Sequence, residues 1–250
     1  MESGLKGKVV LVTGGARDVG REIALGFAAA GATVAVNYNN SAAEAEAVAQ
    51  EAARLGGAGR AYRADVADYD AVRTMVEAIV EDFGRIDVLV NNAGFVLRQR
   101  FVDTRPEDWK KQIDIGLYGV IHTCHAVLPH MIKQNSGRIV NLAGDSARVG
   151  ENGLAVTSAA RGGVLAMTKS LAREVGRANV TVNAIALGLI ETPHDAAWVD
   201  ENREKLVRLY PLRRLGRTTD VAPMVVFLAS SGAGWMTGQI MSINGGFSMS

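Results

Sequence analysis

Short strand-length runs, the first of them almost wholly apolar, alternate with stretches of helical period along nearly the whole chain, and few architectures accommodate that alternation. Residues 8–13, 33–37, 61–65, 86–90, 138–142, 180–185 and 239–243 read as strands. Apolar runs of this kind belong to strands covered on both faces. Between them, residues 19–30, 42–55, 69–83, 109–134, 154–175 and 221–228 carry helical spacing, and Gly31 and Gly56-Gly57 end the first two. Strand and helix in strict turn require parallel strands joined by right-handed crossovers, hence an α/β fold with a doubly wound parallel sheet flanked by helices. No linker or repeat interrupts the pattern, so residues 1–250 are expected to form a single domain. The polar excursion 189–217, with Pro193 and Pro211, breaks the alternation and is expected to act as a substrate lid. Within it, one or two of His194, Asp195, Trp198 and Tyr210 are expected to touch a substrate, and a surface-loop role is the alternative for each.

Bulk properties exclude several functions. The chain has 250 residues, 48% hydrophobic and 21% charged, which suffices for a sizeable core. Its net charge is +1 with no dense basic stripe, so nucleic-acid binding has no electrostatic support. Cys124 is the only cysteine, which rules out an intrachain disulfide and fits a reducing compartment. No run reads as a membrane span, and the first residues lack an apolar signal core. A cytoplasmic protein without a membrane partner is expected.

The first strand runs into Thr13-Gly14-Gly15-Ala16-Arg17-Asp18-Val19-Gly20, which opens the first helix. Glycines at such a turn let the backbone approach a pyrophosphate, and the helix N-terminus adds partial positive charge. This is the first crossover of a Rossmann-type sheet. Asp18 is the discordant residue, since it adds a Cβ and a negative charge to a phosphate-facing turn. Two readings stand open: the carboxylate caps the helix, or it faces the ligand and weakens cofactor binding or abolishes it. The second strand ends in Asn37-Tyr38-Asn39, with no acid to hold a ribose 2′-hydroxyl, which favours NADP(H) over NAD(H).

With Asp65-Val66, Asn91-Asn92-Ala93-Gly94 and the tail Ser242-Ile243-Asn244-Gly245-Gly246 in register, residues 6–246 resemble the short-chain dehydrogenases/reductases, and among them the 3-oxoacyl carrier-protein reductases. The resemblance implies a cofactor side made of Gly14, Arg17, Asp18, Gly20, Tyr38, Asp65, Val66, Asn91, Ala93, Gly94 and Thr192. Arg17 stands where relatives that prefer NADPH carry a basic residue. The resemblance also implies a small-molecule substrate and a homo-oligomer, a tetramer or dimer.

The same register empties the family's reaction centre. Relatives use an Asn, Ser, Tyr and Lys tetrad, whose positions fall here on Gly116, Gly144, Thr157 and Arg161. Thr157 and Arg161 are four apart and share a helix face. A threonine hydroxyl is short and far less acidic than a phenol, and an arginine stays protonated and cannot relay. Substitute chemistry is sought at Asp145 as a general base, with Ser146 beside it and Arg161 holding an anionic oxygen. The alternative for Asp145 is a loop acid paired to Arg148 or facing water. His122 and His125 are read as core or interface residues, and no metal cluster is evident. The leading expectation is a repurposed enzyme performing isomerase-, lyase- or cyclase-type acid–base chemistry. A non-catalytic NADP(H)- or ligand-binding subunit and an NADPH-dependent carbonyl oxidoreductase with substitute residues are the alternatives.

Overall fold

The computed structural model describes residues 3–193 and 196–249, so His194 and Asp195 lie outside the described residues. Seven strands form one sheet in the order β3-β2-β1-β4-β5-β6-β7. They are β1 (Val9–Val12), β2 (Thr33–Tyr38), β3 (Gly59–Arg63), β4 (Val88–Asn91), β5 (Gly137–Gly144), β6 (Val180–Leu187) and β7 (Ile240–Ile243). Every pairing is parallel, as between Val10 and Val88 or Gly144 and Leu187. The expected doubly wound sheet is therefore the observed one.

Alternate strand residues serve opposite faces. Val10, Val12, Val34 and Val36 pack under α1 (Asp18–Ala29), α2 (Ala42–Arg54) and α9 (Thr218–Ala229). Val9, Leu11, Ala35 and Leu89 pack under α3 (Tyr69–Phe83), α5 (Gly119–Gln134) and α7 (Ala155–Val175). The strand order reverses between β1 and β4, and at such a switch point the crossovers leave to opposite faces and open a crevice at the carboxyl ends of the strands.

Three departures from the sequence reading bear on that crevice. The helix expected over 109–134 begins earlier, at α4 (Pro106–Ile113), and reaches α5 through a π turn, Asp114–Tyr118. The stretch Pro106–Gln134 is long and apolar enough to cross a membrane by length and composition, contrary to expectation. Its apolar face is spent on the sheet instead, with Val120, Cys124, Val127 and Met131 buried. The excursion 189–217 holds a helix that its polar sequence did not suggest, α8 (Ala196–Arg208). A parallel bridge between Ile190 and Gly216 closes its base, and Val199, Tyr210 and Leu215 give it a small core of its own. A single turn, α6 (Ser146–Val149), completes the helices named here.

Candidate active site

The glycine turn is stitched to the end of β4. Thr13 Oγ1 accepts from the backbone N–H groups of Asn92 and Ala93, both at 3.0 Å, and Asn92 Nδ2 donates to the carbonyls of Thr13 and Gly14. Asn37, buried at the end of β2, accepts from the Gly14 N–H at 3.1 Å and donates to the Ala64 carbonyl. Gly14 has φ +59°, and a Cβ on Gly20 would overlap the Gly14 carbonyl, so the turn and the first residues of α1 form a cradle that only glycine leaves open.

Asp18 also has positive φ, +50°. Asp tolerates that region better than most residues, at a cost of roughly 1 kcal/mol relative to glycine. Its side chain makes no capping hydrogen bond, and its nearest charge is Arg17 Nε at 3.9 Å, with Arg17 itself well exposed. The capping reading of Asp18 is thus not what the structure contains.

The other cofactor-side residues divide. Ala93 and Gly94 line the cleft together with Asn92, Val19 and Thr192. Asn91 turns into the core, where it donates to Asn141 Oδ1 at 2.8 Å and accepts from Thr123 at 2.6 Å. Asp65 accepts from Asn39 at 2.9 Å and from the Ala67 N–H, and the Val66 carbonyl meets His122 Nδ1 at 2.9 Å. Tyr38 is half-buried at the tip of β2. His122 and His125 form an aromatic group with Tyr69 on α3, away from the cleft. Burial pushes the Cys124 thiol up to about 12, as suits an inert core residue.

Gly116, Thr157 and Arg161 line the same cleft, a cavity of about 600 Å³. Gly116 sits in the π turn, a feature often found where a helix is bent to serve a site. The Thr157 hydroxyl is buried and donates to Gln112 Oε1 at 2.6 Å. Gln112, on α4, donates in turn to the Asp108 carbonyl. Arg161 folds back over the end of β5, where a Cβ on Gly144 would overlap its guanidinium. Position 144 without a side chain and position 161 with a guanidinium therefore occupy one another's space. Burial pulls the Arg161 pKa below its ordinary value, and the charge of Glu151 opposes that. Among the described residues, Arg161 has no acid within 4.0 Å. Arg98, the other cation lining the cleft, is paired with Glu151 at 3.3 Å and lies 4.7 Å over the Trp198 ring.

Asp145 and Ser146 do not line the cleft. Asp145 is fully buried and accepts from Asn244 Nδ2 in the C-terminal tail, while its other oxygen has no partner among the described residues. It neither faces water nor holds Arg148, whose side chain donates to Ser242 at 2.6 Å. The Ser146 hydroxyl is likewise buried without a partner among the described residues. A base must reach the proton it takes, and from this placement Asp145 does not reach the cleft. Tyr210 does not line this cleft; its hydroxyl accepts from the Leu189 N–H at 2.9 Å and pins the start of the excursion. Sequence reasoning missed Gln112, Glu151 and Arg98. Only Gln112 carried a signal, four residues before Gly116 on one helical face.

A family model described as enoyl-(acyl carrier protein) reductase matches residues 14–248. The 3-oxoacyl-[acyl-carrier-protein] reductase FabG of Staphylococcus aureus (strain Mu50) is 42% identical over 242 residues, covering 97% of this chain and 98% of its own. FabG of Thermotoga maritima is 39% identical over 242 residues, covering 97% of this chain and 98% of its own. A candidate short-chain alcohol dehydrogenase from Sinorhizobium meliloti 1021 superposes with a TM-score of 0.94 at 31% identity, covering 99% of this chain and 98% of that one. These relatives overturn the leading expectation of isomerase-, lyase- or cyclase-type chemistry, because near-complete similarity runs to reductases and a dehydrogenase.

Proposed function

The chain belongs to the short-chain dehydrogenase/reductase family, and from that premise we propose that it is an NADPH-dependent carbonyl oxidoreductase whose tetrad positions, Gly116, Gly144, Thr157 and Arg161, carry substitute residues. One observation carries the reading: the loops around the glycine cradle and three of those four positions line a single cleft. A cofactor-binding half and a reacting half that share one cavity serve hydride transfer, which needs chiefly proximity and orientation.

The residues fit a dinucleotide. Gly14, Gly20 and the start of α1 would take its phosphates, exposed Arg17 a ribose phosphate, Asp65 and Val66 the adenine side, and Ala93, Gly94 and Thr192 the nicotinamide side. Asn91 supports this surface from within the core. Asp18 weakens the fit by placing a carboxylate beside the phosphates. When bound, reduced nicotinamide supplies a hydride to the substrate carbonyl carbon. Arg161 donates hydrogen bonds to the carbonyl oxygen and stabilises the charge that develops there. Arginine keeps its proton, so water entering the cleft protonates the alkoxide. Thr157, one turn before Arg161 on the same helix, and Gln112 hold the adjoining wall.

A second reading, an NADP(H)-binding protein without turnover, draws on the Thr157 hydroxyl already being committed to Gln112. Under either reading the protein is a cytoplasmic homo-oligomer with a small-molecule ligand, and 189–217 is its lid. Calorimetric titration of NADPH and NADH, followed by NADPH oxidation with short 3-oxoacyl thioesters, tests the proposal. Micromolar NADPH binding is expected, tightened about tenfold by Asp18→Gly as a repulsive charge leaves the phosphate turn, with turnover lost in Arg161→Met. Absence of binding at millimolar NADPH overturns both readings, and binding without oxidation leaves the second.

A further inference from the structure

Arg161 raises a question that hydride transfer does not answer. A guanidinium set into a protein wall without an anion is costly, and buried charges are normally paired. Of the two cations lining the cleft among the described residues, Arg98 has Glu151, the Asn152 carbonyl and the Trp198 ring. Arg161 has none of these, and Glu151, the one acid in the lining among the described residues, is already engaged by Arg98. The space in front of the guanidinium is also unusually open. Gly116 brings no side chain to the cleft, and a Cβ there would meet only Ala160 Cβ, at an ordinary 3.6 Å. The same cleft has apolar walls from Val96, Leu97, Leu154, Leu189 and Ile190.

We propose that the missing anion is the substrate's own carboxylate, so that the cleft takes a free oxo acid and Arg161 is its anchor. This rests on the reductase reading for the fate of the carbonyl, and on the unpaired guanidinium alone for the carboxylate. A guanidinium presents parallel N–H groups in a fixed fork that matches a carboxylate edge to edge. In a short oxo acid, the carbonyl oxygen lies close enough to the carboxylate for the same fork to reach both. The apolar walls accept the remaining carbon chain. Relatives named for 3-oxoacyl groups on a carrier protein act on substrates without a free acid at that point, and here the guanidinium fork of Arg161 reaches into the space that a side chain at 144 would fill.

The test is calorimetric binding of acetoacetate and of its uncharged ethyl ester to the full chain without cofactor, repeated on Arg161→Met and Arg161→Lys. Acetoacetate is expected to bind about tenfold or more tighter than the ester. The preference should vanish in Arg161→Met and shrink in Arg161→Lys, which keeps the charge and loses the fork. Should the Met variant fail to fold, the Lys variant alone decides. Equal affinity for acid and ester in the parent protein, or a preference unchanged in both variants, overturns the proposal. NADPH oxidation with both compounds separates this inference from the reductase reading. Acid preference without oxidation of NADPH by either compound sustains the inference and sinks that reading. Equal reduction of acid and ester does the reverse.

Discussion

Asp87 and Arg161 are charged groups set into opposite ends of the same sheet, and the protein treats them differently. Asp87 leads into β4 at the amino ends of the strands and is 4% exposed. It accepts from Arg85 Nε at 2.8 Å, from Lys8 Nζ at 3.1 Å and from the Val9 N–H at 3.0 Å. Burial alone would raise its pKa, but those three donors outweigh burial and hold it below the usual carboxylate range. Arg161 stands at the carboxyl ends with no counter-charge in contact among the described residues. A fold stabilised only for its own sake would compensate both. The difference is what the proposed carboxylate site requires, since functional sites commonly keep such an electrostatic demand at some expense of stability.

The largest effect separating the two is predicted at Asp87. Asp87→Asn keeps the shape and removes the charge, so bonds from two cations weaken together, and unfolding at pH 7 should cost about 2–3 kcal/mol less than in the parent. The pH dependence follows from the depressed pKa. A carboxylate with a lower pKa in the folded state contributes stability fully above its unfolded value, about 4, and loses it as pH falls through the folded value below that. Urea melts of parent and variant should therefore converge as pH drops below about 4. A gap that persists to the lowest accessible pH would falsify the assignment of that stability to charge.

Arg161→Met should move stability the other way. Methionine fills a similar volume and brings no charge to desolvate, and replacing an uncompensated buried charge with an apolar side chain is often stabilising. A gain of about 1–2 kcal/mol in the absence of ligand is expected from the same urea melts. A loss of that size instead would mean that the guanidinium holds the wall together, and the contrast between the two ends would disappear.

Legibility in the sequence followed the same line between core and cleft. Strands such as β1 could be read because both faces are covered and Val9-Val10-Leu11-Val12 is continuously apolar. The π turn at Asp114–Tyr118 could not, since the helical period holds on either side of it and the wider turn is a tertiary accommodation. Helix α8 was hidden by its composition, for it buries little beyond Val199 and earns its place by covering the cleft with Trp198. Positions 116, 144, 157 and 161 were singled out because their neighbours resemble the family's motifs, and three of them line one cleft. The meaning of Gly144 was not legible, because only the folded path of Arg161 reveals that one residue vacates what the other fills. Asp145 misled for a related reason. Its place at the end of β5 is where ligands sit, but its side chain goes to the tail and not to the cleft.

Asp145→Asn is the smallest predicted effect and the sharpest on that last point. The carboxylate is fully buried, one oxygen takes the Asn244 amide and the other has no partner among the described residues. An amide of the same shape still offers an oxygen to Asn244 and leaves one polar atom without a partner, so the balance of satisfied and orphaned groups hardly changes. The loss of a buried charge acts in the same direction as at Arg161, so stability should hold or rise, by no more than about 1 kcal/mol. NADPH oxidation, where the parent shows it, should keep its rate and pH profile. A drop in rate of about a hundredfold, the scale of a lost general acid or base, with the melting curve unmoved would place Asp145 in the reaction after all. The tail that now covers it would then have to open during turnover, which makes the C-terminal residues from Asn244 onward, and not the excursion 189–217, the moving part of the site.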